Sequence, residues 1–274
     1  MIKKTITIIV LNLFALVLHA QGGTKFEKIE KEIVGSSKLT VYYAIEANTG
    51  KKVKTGQTVL QILGAKSKYV DVTEDQYITY NNTNVGKIAD QHTFAESLKI
   101  NRNYAYNGVI FKDFSTSTLL VQELVALTTY QYQELIPKIN WKIVKDTKEI
   151  LGHSCQKATT TFRGRLYTAW FAEDIPISDG PHLFTGLPGL ILEISDAKKD
   201  YRFTATGIET KNEEVYLVIN PAIVKVSRAD YQKANKNFHI DPGAALQGKV
   251  YSEPGKVYQT SGAKSWPYNP MELE

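Results

Sequence analysis

The segment Gly186-Leu187-Pro188-Gly189-Leu190-Ile191 restricts the fold more than any other part of this chain. Pro at the first central position of a turn and Gly at the second suit a type II turn, in which the Gly takes a positive φ. Connections are normally polar and solvated. This one is apolar on both sides and runs directly into Leu192-Glu193-Ile194. Such a turn is expected to be tucked against the body of the protein, its Gly and Pro answering a backbone requirement more than a side-chain one. The whole Pro/Gly-rich loop, Asp174 to Leu190, is expected to close over or brace one face of a sheet.

Around that loop the chain reads as β. Leu39 to Ala47 alternates, with Val41, Tyr43 and Ile45 on one face, and Asn48-Thr49-Gly50 ends it. Thr58 to Leu63, Ser67 to Val72 and several runs between Gly108 and Tyr132 continue the pattern. His153 to Phe162 and Arg165 to Phe171 flank the tight turn Arg163-Gly164 and form the clearest hairpin. Leu190 to Ser195, Tyr201 to Ile208 and Val215 to Ile219 are further antiparallel strands. Sixteen Tyr and ten Phe fit strands with aromatic faces. Residues 74–103 read as an irregular insertion: Thr73-Glu74-Asp75 suits the cap of a short helix that Asn81, Asn82, Asn84 and Gly86 break, and Ala89 to Leu98 allows a helical turn or two. Ser227 is an N-cap for a helix through Asn237. Residues 241–274 form a loop-rich tail, but Trp266-Pro267-Tyr268-Asn269-Pro270 is too apolar to hang free and is expected to dock back.

Residues 1–20 read as an export signal: Lys3 and Lys4, an apolar run from Ile6 to Leu18, and the small residue Ala20 before Gln21. The run is too short to span a bilayer comfortably, and no later segment is apolar enough to do so. The expected location is exported, periplasmic or outer-membrane-associated. The formal net charge of +5 is mild, two of it from Lys3 and Lys4. No basic stripe with interleaved aromatics supports nucleic-acid binding.

The run from Trp141 to Ile208 carries a resemblance. Trp141-Lys142-Ile143, Gly152 with Cys155, Arg163-Gly164-Arg165, Tyr167-Thr168-Ala169-Trp170-Phe171, Ile175-Pro176-Ile177, Gly180-Pro181, Phe184 and Gly186 to Glu193 together resemble the GLPGLI (Porph_ging) family of exported Bacteroidetes proteins. Asn269-Pro270-Met271-Glu272-Leu273 resembles its terminal signature. The resemblance implies an envelope protein with no established activity. The strand pattern is similar to half-open sheets of the lipoprotein-carrier type. The expected fold is therefore mainly β: a curved, half-barrel-like antiparallel sheet with one or two helices, in a single β-rich domain over residues 21–240.

On that analogy Tyr167, Trp170, Phe171, Phe184 and Leu187 are candidate contacts for an apolar small molecule, with an outer-membrane protein as the other candidate partner. His153 and Cys155, two apart on one strand, share a face. They read as a buried thiol beside a histidine, as two ligands for copper or zinc with His182 as the third, or as an activated nucleophile. Arg163 and Arg165 suit either a solvated turn or a carboxylate clamp. No G-x-S-x-G, H-E-x-x-H, P-loop or dinucleotide fingerprint is present. No catalytic residue and no cofactor is therefore assigned, and the reading is a non-catalytic binding module. A metal-handling protein and a hydrolase of unfamiliar chemistry are the alternatives.

Overall fold

The computed structural model describes residues 25–88, 90–102, 104–126, 128–246, 251–253, 256–257 and 265–274. The expected signal segment lies outside the described residues. Twelve strands form one sheet. Six run as a meander: β2 (Leu39–Asn48), β3 (Val53–Leu63), β4 (Lys66–Asp71), β5 (Gly108–Asp113), β6 (Thr118–Val125) and β7 (Thr128–Leu135). Five more form a second meander: β8 (Lys142–Ile150), β9 (His153–Phe162), β10 (Arg165–Ala172), β11 (Leu190–Asp196) and β12 (Tyr201–Glu209). β12 pairs antiparallel with β2, from Tyr201 opposite Ala47 to Glu209 opposite Thr40, and so joins the two. The two-residue strand β14 (Val224–Lys225) adds in parallel to β7. β14 and β8 end the sheet without meeting, so it is curved but not closed. The β8 edge carries Lys142, Lys145, Asp146, Lys148 and Glu149, charges that discourage pairing with another chain. A separate ribbon of β1 (Glu30–Ser36) and β13 (Glu214–Ile219) completes the strands considered.

Alternation explains the layers. In β2 Val41, Tyr43, Ile45 and Ala47 are buried, and in β10 Tyr167, Ala169 and Phe171 are buried while Leu166 is 53% exposed. These inward residues join those of β6, β7 and β11 in one continuous core. Arg163 and Gly164 both have positive φ (45° and 79°), as a two-residue hairpin turn between twisted strands requires.

Among the described residues three helices of eleven or more residues accompany the sheet. Two full helices stand where a short broken helix and a turn or two were expected: α1 (Thr73–Thr83) and α2 (Gln91–Arg102). The asparagines that read as helix breakers are anchors instead. Asn81 Nδ2 donates to Glu27 O (2.6 Å), and Asn82 both accepts from Ile29 N (2.8 Å) and donates to Ile29 O (3.2 Å). α3 (Arg228–Ile240) begins where expected: Ser227, in an extended conformation, accepts a hydrogen bond from Asp230 N. No described helix is long and apolar enough to cross a membrane.

The loop after β10 enters the concave side of the sheet. Leu183, Phe184, Leu187 and His182 are all buried there. Lys112 of β5, itself fully buried, donates to Asp179 Oδ1 and to Gly180 O (2.9 Å) and fastens the loop to the far meander. Tyr43 OH donates to Ile191 O (2.7 Å) beside it. The turn chemistry differs from the expectation. Gly186 carries the positive φ (94°), and Gly189 does not. Gly189 is needed for space: a Cβ there would lie 2.2 Å from Ala172 O.

Candidate functional site

The loop fills most of the concave side, and a cleft of about 220 Å3 opens at its mouth. α3 supplies Tyr231, Gln232, Asn235 and His239; the tail supplies Tyr268 to Glu272; β6 supplies Glu123. Lys54 of β3, Tyr106 and Asn107 before β5, and Tyr201 of β12 complete the walls, and His182 lies at the base.

The tail is held there by specific contacts. Arg165 donates to Asn269 Oδ1 (2.6 Å) and twice to Pro270 O, while its other edge meets Asp196 (3.0 Å) and Asp200 (3.1 Å). Tyr167 OH donates to Met271 O (3.1 Å), and Asn269 Nδ2 to Asn48 O (2.7 Å). Glu272 accepts from both Arg163 (2.5 Å) and Arg228 (2.7 Å). Trp266 packs edge-on against Phe238, ring centroids 5.2 Å apart. Arg163-Gly164-Arg165 is thus neither a solvated turn nor an open anion site; its two guanidiniums bind the chain's own tail.

Glu123 is the most perturbed acid of the cleft. Tyr106 OH donates to one of its oxygens (3.0 Å) and Tyr231 OH to the other. Those bonds favour the carboxylate, but burial outweighs them, and the nearby Glu272 charge adds to it, so the group is pushed up to about 7. His182 stands among the rings of Tyr69, Tyr106, Phe184 and Phe203. Burial, with smaller repulsion from Arg163 and Lys112, drives its pKa down to about 3, so it is a neutral imidazole.

The residues singled out in the sequence lie elsewhere or are packed. Tyr167, Phe171, Phe184 and Leu187 are core, each at most 1% exposed, against the loop or the strands around it. Trp170 points to the other side of β10 beneath Lys148 Nζ, 4.6 Å from its ring centre. Cys155 is fully buried, and burial raises its thiol to about 11; its Sγ donates to His153 O (3.6 Å). His153 Nδ1 pairs with Asp174 (2.6 Å). His182 is in the concave core, and among the described residues no three or more His, Cys, Asp or Glu side chains gather to hold a metal. Glu193 pairs with Lys148 (2.8 Å) and Arg202 (3.7 Å).

A family model described as "N-glycanase peptide, N-terminal domain" (PNGase F-II N) matches residues 68–232. The chain belongs to this family. The resemblance to GLPGLI proteins is corrected by that match, because the N-glycanase N-terminal domain family spans the Gly186–Ile191 motif and the whole run that carried the resemblance. Physically, the motif is a demand of packing: a turn with no room for a Cβ at Gly189 and with Leu187, Leu190 and Ile191 in the core. Two solved structures of PNGF-II, in P21 and C2 crystals, align with TM-score 0.48 and 13% identity over 73% of this chain. They are covered over 33% and 32% of their own length, so the chain spans about a third of the solved proteins it matches. No curated protein matches.

Proposed function

We propose that this member of the N-glycanase N-terminal domain family is a non-catalytic module that contacts the carbohydrate of glycoproteins through the mouth cleft. The observation that carries the reading is the lining: tyrosine rings interleaved with Asn, Gln, His and a carboxyl. Sugars present apolar C–H faces and a ring of hydroxyls, and such a wall offers both faces and directional hydrogen bonds. About 220 Å3 is smaller than the roughly 300–1,000 Å3 of drug-sized pockets and suits a single ring. The two cleft carboxyls are occupied, Glu123 by two tyrosines and Glu272 by two arginines, which favours binding over hydrolysis. Leu183, Phe184 and Leu187 fill the concave face that an apolar carrier would keep open.

Calorimetric titration with mono- and oligosaccharides released from N-glycoproteins tests this. Binding should be measurable and should weaken by about tenfold in Tyr268→Ala, which removes an exposed ring face from the cleft wall. Absence of any sugar binding by the folded chain would overturn it. Export is part of the proposal: a mature chain beginning at Gln21 in the periplasmic fraction, read by mass spectrometry, is the expected form, and retention of residues 1–20 in the cytosol would refute it.

A further inference from the structure

We infer that the cleft selects an acidic sugar, a ring bearing a carboxylate of the uronic or sialic type, and that Lys54 is the residue that reads the charge. This rests on the carbohydrate reading above and narrows it. Lys54 lines the cleft half-buried, and among the described residues its ammonium makes no ion pair and no hydrogen bond. The other buried or half-buried cations around the concave side are matched. Arg163 meets Glu134 and Glu272, Arg228 meets Glu272, Arg165 meets Asp196 and Asp200, and Lys112 meets Asp179.

Asp71 is the acid whose charge attracts Lys54, but its oxygens are spent on other donors. Oδ1 accepts from Thr73 N and Thr73 Oγ1, and Oδ2 from Ala105 N and Tyr106 N. Lys52 repels Lys54 from the solvent side. Burial is the largest effect on Lys54 and lowers its pKa, Lys52 lowers it further, and the attraction of Asp71 does not make up the difference. An anion placed against it supplies what the fold withholds. The opposite wall does not compete for it: Glu123 is bonded to Tyr106 and Tyr231, and Glu272 is held by two guanidiniums. A neutral sugar would leave Lys54 uncompensated, whereas a sugar carboxylate forms a charge-assisted hydrogen bond while its ring rests among the tyrosines.

The test compares N-acetylneuraminic acid and glucuronic acid with their methyl esters, by calorimetry on the full chain at pH 7. The acids should bind at least tenfold more tightly than the esters. Lys54→Gln should remove that preference, with circular dichroism confirming the fold. Lys54→Arg, which keeps the charge, should retain a preference for the acid. Equal binding of acid and ester by the native chain, or a preference that survives Lys54→Gln, would overturn the inference and leave the carbohydrate reading standing. Failure of every sugar to bind would overturn both.

Discussion

Replacing Glu123 by Gln removes one ionisation and almost no volume. In the folded chain the carboxyl is pushed up from 4.5 to about 7, chiefly by burial. The folded state therefore holds this proton more tightly than the unfolded state. Native stability from this group is greatest below about pH 4.5, falls between about 4.5 and 7, and is level above that. At about 1.4 kcal/mol for each tenfold change in proton affinity, the whole fall is about 3 kcal/mol. Glu123→Gln has no proton to lose and escapes it. Urea unfolding followed by tryptophan fluorescence at pH 4 to 8 should show the variant gaining about 2–3 kcal/mol on the native chain across that range, with an unchanged m-value. Groups that titrate equally in both proteins cancel. A stability difference constant with pH to within about 0.5 kcal/mol would refute the assignment of the buried acid to Glu123.

Three other substitutions or treatments probe the core. Lys112→Met should cost about 3–5 kcal/mol in chemical denaturation, because Asp179, whose Oδ2 already lacks a partner, is left as a buried lone charge; adding Asp179→Leu should recover most of the loss. Gly189→Ala should lower stability by about 1–3 kcal/mol or more through collision with Ala172 O, and more than Gly152→Ala, which meets open space and pays only for its positive φ. Cys155 should resist a thiol reagent in the native protein at pH 8 and react fully in guanidinium; labelling within minutes in the native state would contradict its burial.

What could be read from the residues follows from range. The alternation of Val41, Tyr43 and Ile45 and the turn Arg163-Gly164 are local, and both appear as strand and hairpin. Ser227 capped its helix for the same reason. The start of α1 at Thr73 is legible but its run past Asn81 and Asn82 is not: these satisfy the backbone of residues 27–29, more than fifty positions away, and an asparagine that serves a distant segment looks the same as one that breaks a helix. The cleft was hidden because Lys54, Glu123, Tyr231 and Tyr268 come from four separated elements and form no spaced motif. The aromatics of β10 read equally as core or as ligand contacts, since a buried ring and a ring lining an empty face have identical sequence patterns; the path of residues 180–187 distinguishes them.

The pairing of β2 with β12 sets a waiting time on synthesis. Asn48 and Asp200, bonded across that seam, are 152 residues apart. At roughly 5–20 residues per second, the ribosome needs roughly 8–30 s between making one and making the other. Through that interval the first meander can form, but the edge of β2 that β12 will cover stays open, an unpaired row of backbone donors and acceptors flanked by Val41, Tyr43 and Ile45. For a nascent chain that edge is the exposed surface at which a chaperone has most to cover, and the arrival of β12 is the event that releases it.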